Sequence, residues 1–430
     1  YNADTDGSGT VDPAEVDGVI DTVKTSVAAA DADDVIDAGE GDNVILAGGS
    51  SIDLVDPLNG DVITTGNDDD VIIGDYGTVT YNSAGSVSNA ATSDPGTGGE
   101  DRVIAGDGYN IVLLGDSDDT VQTGTGNDVI LGDHGSVQVD GADRDIATSD
   151  VGTGGDDTIV AGSGADILIG GAFNDTISGN DGADLILGDY GTVFRDNTSV
   201  IEQALSNNEA AGGDDTIDGN AGNDVILGGA FSDTIYGGNA DGSAVAGADA
   251  DLDVHAQRAV QQRDAVEHAD LILGDSGRID YTGGVTDNVL STATGIGAAD
   301  NIEGNEGNDV IFGGAGSDTI SGNDGSDIIL GDGGGLGGVL GGSSNNDVYT
   351  VDPNSGTGDT IYGDAGQDFI LGGDGSDTVY GGTEDDTILG DQGRVVRATN
   401  DLVQRTEAED FANGAGDFLY GDSGNDVIAC

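Results

Sequence analysis

An elongated all-β solenoid built from nine-residue units is the fold this sequence predicts, on three observations. An aliphatic residue recurs two places after an Asp-type position, in nine-residue steps, 27 times along the 430 residues. Each unit opens on Gly-rich text, as in Gly219 to Tyr236, where GNAGNDVIL is followed by GGAFSDTIY. All 27 eighth places hold Ile, Val or Leu, and 24 sixth places hold Asp, the exceptions being Asn43, Ile52 and Asn110. Six Gly-rich residues turn tightly because Gly accepts positive φ. The three that follow, such as Val225-Ile226-Leu227, are β-prone. Alternation along so short a strand points its middle residue inward and its neighbours outward, so only the eighth place has to be aliphatic.

Composition narrows the function. There are 80 Gly and 4 Pro, with no collagen-like period. The formal net charge is -73, with Lys24 the only lysine, which argues against nucleic acid or an anionic membrane as partner. The acids are 72 Asp to 11 Glu, a bias that solubility alone does not explain. A short carboxylate fixed in a tight turn beside backbone carbonyls is a hard oxygen ligand for Ca²⁺.

The repeat follows the nonapeptide G-G-x-G-x-D-x-U-x, and from about Asp31 onward the chain resembles the RTX (repeats-in-toxin, haemolysin-type) calcium-binding family. The resemblance implies a parallel β-roll with two units per coil, in which turn carbonyls and sixth-place carboxylates of stacked units share each ion. Carried onto this chain, the ligand role falls first on Asp34, Asp61 and Asp70, then on Asp101, Asp119 and Asp128. The next blocks supply Asp157, Asp166, Asp175 and Asp184, then Asp215, Asp224, Asp233 and Asp270. Asp300, Asp309, Asp318 and Asp327 follow, then Asp359, Asp368, Asp377 and Asp386, with Asp417 and Asp426 in a last partial block. One buried aliphatic per unit stabilises by roughly 1.5–3 kcal/mol, against about 1–2 kcal/mol of backbone entropy for each residue ordered. Ion binding therefore has to drive folding, and a largely unfolded ion-free chain is expected.

Complete blocks end alike, as in GDYGTV (74–79), GDHGSV (132–137) and GDGGGL (331–336), where an aliphatic replaces the sixth-place Asp. The stack is expected to lose an ion site there and release an excursion. Four units make two coils, so the excursions should emerge in a row on one side. TVTYNSAGSVS (78–88) reads as a hairpin. SVIEQALSNNE (199–209), with Ser199 and Glu202 as a capping box, and DLVQRTEAEDF (401–411) read as short helices. The insertion at about 239–268 reads as helical from its Ala, Gln, Arg and Glu content. Phe173 and Phe231 take the fourth place, where Gly is expected, so weaker ion loops are expected there, with each ring contacting a neighbouring excursion.

A first domain, residues 1–30, carries a second signature. Asp4 to Glu15 fits the EF-hand loop, with Asp4, Asp6 and Ser8 as ligands, the carbonyl of Thr10, Asp12 through water and Glu15 bidentate. Val16, Val19, Ile20, Val23 and Val27 then give a helical stripe. Residues 31–430 form the solenoid.

Catalysis is not expected. GDSG at 274–277 and 421–424 falls in repeat positions, and His134, His255 and His268 lie in no HExxH motif. Cys430 is the only cysteine, so no internal disulfide can form. The chain opens without Met and stops inside a repeat, as a piece of a longer protein would. The family resemblance implies type I secretion as an unfolded chain that folds in extracellular Ca²⁺. The leading expectation is an extracellular or cell-surface structural protein (surface layer, filament or adhesin stalk), self-associating or meeting a surface partner. A secretion domain of a larger exported enzyme and a ligand-binding adhesin are the alternatives.

Overall fold

The computed structural model describes residues 22–25, 34–49, 60–207, 211–238, 269–292, 295–337, 347–351, 356–397, 403–408 and 415–430. Successive nonapeptides send their strands alternately into two parallel sheets. The outer sheet runs from Val35–Gly39 through Thr216–Asn220 to Phe418–Tyr420, and the central sheet from Val44–Leu46 through Val225–Gly229 to Val427–Ala429. Among the described residues each sheet holds 13 strands. Equivalent places stack in register, as Thr216 on Thr234 and Ile217 on Ile235. The unit around Ile52 lies outside the described residues, and Val35–Gly39 pairs directly with Val62–Thr65.

The excursions build a third sheet. Gly77–Tyr81 pairs with Val87–Thr92, Gly135–Gln138 with Ile146–Thr148, and so on to Gly393–Arg397 with Val403–Ala408. Each excursion of this sheet leaves after a central strand and returns to an outer strand, so these lie on one side, as whole coils require, whereas the 239–268 insertion joins an outer strand to a central one on the other edge. The hairpins are not separate appendages. Neighbouring hairpins pair antiparallel into one continuous sheet over the far face of the central sheet.

Three layers make two cores. Eighth-place residues such as Ile217, Ile226 and Ile235 are fully buried between the outer and central sheets. Seventh and ninth places of central strands, such as Leu185, Leu187 and Leu273, pack against Val193, Ile279 and Val289 of the excursion sheet. One buried aliphatic per unit is therefore right for the outer sheet and too few for the central one. A parallel strand covered on both faces has to be apolar throughout. Central strands read ILI, LIL and VIL, while outer strands read TIV, TIS and TIY.

The helical excursions are a correction. Ile201–Ser206 and Val403–Ala408 are strands. Ser199 has φ of 64°, not the extended backbone of an N-cap, and its N–H donates to the Asp196 carbonyl to close the hairpin turn. Pairing with Gly191–Arg195 on one side and Gly277–Thr282 on the other outweighs a weak helix propensity. The stripe from Val16 to Val27 is not a continuous helix either, because Thr22–Lys24 is a strand on Gly77–Tyr81. The EF-hand-like loop and the 239–268 insertion lie outside the described residues. The 78–88 hairpin is present as expected.

Candidate metal centre

Two columns of sixth-place residues run along the two edges of the roll. On the edge leading into the outer sheet, each backbone N–H donates to Oδ1 of the Asp one rung further. Asp157 donates to Asp175, Asp175 to Asp215, and Asp215 to Asp233, each at 2.8 Å. The column extends from Asp34 and Asp61 through Asp101, Asp119, Asp300, Asp318, Asp359 and Asp377 to Asp417. On the opposite edge it runs from Asn43 through Asp70, Asn110, Asp128, Asp166, Asp184 and Asp224, then through Asp270, Asp309, Asp327, Asp368 and Asp386 to Asp426.

In many of these carboxylates the second oxygen accepts no hydrogen bond. Oδ2 of Asp157, Asp175, Asp215, Asp224, Asp233 and Asp270, among others, is buried and unpaired. It points into a hollow left by the glycine at the first place of its own turn. A Cβ on Gly188 would collide with Asp215 Oδ2 and with the Gly228 carbonyl of the next rung, and one on Gly228 would meet Asp233 Oδ2 and the Gly274 carbonyl. Across the roll, Gly219 faces Asp224 Oδ2 and the Gly237 carbonyl in the same way. Carboxylate and carbonyl oxygens converging without a hydrogen between them fit a hard cation such as Ca²⁺. Among the described residues no three His, Cys, Asp or Glu side chains gather around one point. The cradle instead combines carboxylates with backbone carbonyls.

Electrostatics agree. Burial raises the carboxyl of Asp224 to about 9, with the neighbouring charge of Asp270 adding to it. Burial raises Asp359 to about 10, reinforced by Asp318. Asp157, Asp175, Asp215 and Asp233 are pushed well above the ordinary range by burial first and neighbouring aspartates second. Rows of buried carboxylates this close need either protons or cations.

The ladder does not break at the block ends, where the loss of a site is expected from the sequence. The chain from Asp119 to Asp157 and from Asp175 to Asp215 crosses an excursion, yet the Asp ladder keeps its 2.8 Å spacing. Gly132, which opens the interrupted turn, faces Asp157 Oδ2 and the Gly170 carbonyl just as Gly170 faces Asp175 and Gly188. The returning text supplies the sixth-place Asp of the turn that the departing text began. Phe173 and Phe231 stand at φ of 68° and 77°, nearly half exposed, while Asp175 and Asp233 in the same turns keep the common geometry.

Sequence reasoning missed one set of residues. The Asp in the second place of GDxG is buried at five of the six excursions (Asp75, Asp133, Asp189, Asp275 and Asp332) and half-buried at Asp391. Its carboxylate accepts from the third-place amide of the next rung, as Asp75 does from Asp116 at 2.6 Å and Asp189 from Ala230. At Asp75, Asp133 and Asp189 it also accepts from a returning amide, that of Gly99, Gly155 and Gly213. The signal was the recurrence of GD itself, read only as the end of a block.

The model of the family described as RTX calcium-binding nonapeptide repeat (4 copies) matches residues 27–51, 95–130, 160–192, 209–235, 218–252, 294–335, 355–394 and 411–429, more than half of the chain. The chain belongs to the RTX calcium-binding repeat family. No curated protein matches it. RTX repeats bind multiple Ca²⁺ ions and are typical of secreted proteins. Among the described residues no helix is long and apolar enough to cross a membrane.

Proposed function

We propose that this RTX chain is an extracellular, calcium-dependent structural element of a surface layer, filament or adhesin stalk, one that folds and stiffens on binding Ca²⁺. The observation that carries the reading is the continuity of the two aspartate ladders through every excursion. In this reading the ions are held by the sixth-place aspartates and first-place carbonyls of both columns, with an EF-hand-type ion at Asp4 to Glu15. Thirteen rungs at about 4.8 Å give a rod of roughly 60 Å. Ion binding supplies the folding energy, so low cytosolic Ca²⁺ keeps the chain exportable and extracellular Ca²⁺ sets the rod. Catalysis has no part in this role. The partner is a second copy of the rod or a component of the cell surface.

Negative-stain imaging of the purified chain in millimolar Ca²⁺, repeated after chelation, tests the reading. Rods that join into filaments or sheets with Ca²⁺ and disperse without it support a structural assembly. Isolated short rods that unfold on chelation move the reading to a stalk or a secretion domain. Rods unchanged by chelator overturn the calcium dependence.

A further inference from the structure

An uninterrupted turn sets the distance between its first-place carbonyl and its sixth-place carboxylate by five consecutive peptide links. Where an excursion intervenes that link is lost. Between Gly132 and Asp157, or Gly188 and Asp215, more than twenty residues run out into the third sheet and back. Closing such a loop costs entropy, and nothing in the covalent chain then fixes where the returning Asp sits. Yet the cradle on either side of the excursion is the same as in a tight turn. Some other contact has to restore the register.

The buried second-place Asp makes that contact. Asp189 Oδ1 accepts from the N–H of Gly213, 3.0 Å away and two residues before the sixth-place Asp215. Its Oδ2 accepts from the N–H of Ala230 in the next tight turn. One carboxylate thus ties the departing strand, the returning strand and the following rung together. The surroundings are shaped for it. A Cβ on Gly212, in the returning turn, would strike both oxygens of Asp189, and one on Gly229 of the next rung would strike Oδ2. Gly229 has φ of 124°. The arrangement recurs at Asp133, where Gly154 and Gly171 take the two glycine places. Tight turns on this edge carry Gly rather than Asp at the second place, as at Gly171 and Gly229.

We propose that Asp75, Asp133 and Asp189 are positioning residues that splice their excursions into the calcium row, holding the returning sixth-place Asp in register with the carbonyl of the departing turn. They act through the turn and not as ligands, since backbone amides take up the carboxylate oxygens of Asp75, Asp133 and Asp189. The rule that follows is local. Asp in the second place of such a turn permits an excursion there without loss of an ion site.

The inference rests on the assignment of the sixth-place aspartates as ligands, and the test separates the two. Bound Ca²⁺ per chain and its affinity are measured by equilibrium dialysis on the full chain and on Asp189→Ala, Asp189→Asn and Asp215→Ala. Asp189→Ala should lose about one or two ions, or bind them at least tenfold more weakly, while keeping its sheet signal at saturating Ca²⁺. Asp189→Asn, nearly isosteric, keeps one acceptor and turns an NH₂ toward the second amide, so it should fall between the parent and Asp189→Ala. Asp215→Ala should lose as many ions as Asp189→Ala. If Asp215→Ala loses ions and both Asp189 variants bind the parental number at parental affinity, the splice fails and the ligand assignment stands. If Asp215→Ala also binds the full number, the assignment itself falls and the splice with it. Should Asp189→Ala not fold, the folded Asp189→Asn decides: an undiminished ion count and affinity overturn the proposal.

Discussion

The two edges of the roll carry the same carboxylate ladder on very different chains. The edge leading into the central sheet is made of nonapeptide turns, apart from the insertion after Thr234–Gly238. The edge leading into the outer sheet has every second turn opened by an excursion. Both nevertheless hold Asp N–H to Asp Oδ1 contacts near 2.8 Å and buried Oδ2 atoms without partners. Chain continuity is therefore not what makes the row. The row is made by stacking in register, and a carboxylate held between two amides can stand in for a missing stretch of backbone.

The largest way to break both edges at once is to remove the ions. With excess chelator at neutral pH, far-ultraviolet circular dichroism should lose most of its sheet signal, because rows of buried aspartates cannot all ionise unaided. The pH response supplies the sign. In the ion-free fold Asp309 and Asp224 sit well above their unfolded value near 3.9, at about 9, by burial and then the charge of Asp270. Such groups favour the fold most fully below the unfolded value, and that contribution is lost as pH rises from about 4 through 9. Acidifying the chelated chain from pH 8 toward 4 should therefore recover sheet signal. The Ca²⁺-loaded chain should do the reverse, weakening in acid as protons displace ions. Parallel slopes in the two conditions would refute the picture of carboxylates that exchange protons for cations.

A smaller break compares the edges rung by rung. Asp224→Ala on the tight edge and Asp215→Ala on the opened edge each delete one carboxylate that faces its own hollow and the amide of the previous rung. Each should lower the Ca²⁺ stoichiometry by about one or two ions, by equal amounts. A clearly larger loss at Asp215 would mean that the opened edge relies on its carboxylates more than the tight one, and that the second-place Asp only partly replaces the backbone.

Much of this was legible in the sequence, for physical reasons. Ile217, Asp215 and Gly219 repeat because one turn and one strand are built over and over, so period, turn and inward residue could all be read. The 78–88 hairpin announced itself by alternation around a Gly turn. What could not be read depended on neighbours far along the chain. Ile201–Ser206 looks helical by composition and becomes a strand because Gly191–Arg195 and Gly277–Thr282 flank it. The third layer was visible only as a difference between alternate units, Thr158, Thr176 and Thr216 against Ile167, Leu185 and Leu271, and averaging all units into one consensus erased it. Asp189 was likewise in view, but its role requires Gly213 and Ala230 to be brought beside it.

That alternation sets the smallest and most discriminating comparison, an exchange between the two strand types. Leu187, in the seventh-to-ninth stretch of a central strand, is 1% exposed and packs toward the excursion sheet, whereas Thr216 lies on the open face of the outer sheet. Leu187→Ala should destabilise the Ca²⁺-loaded fold by about 2–5 kcal/mol, since a cavity opens between two sheets that cannot close up around it. Leu187→Thr should cost about 1–3 kcal/mol for burying a hydroxyl, on top of the lost packing. Thr216→Val should lie within about 0.5 kcal/mol of the parent, because its side chain meets solvent and not a third layer. Denaturant unfolding at fixed Ca²⁺ measures all three. Equal costs at Leu187 and Thr216 would mean that the outer sheet is covered as well, and that in solution a second surface lies against it.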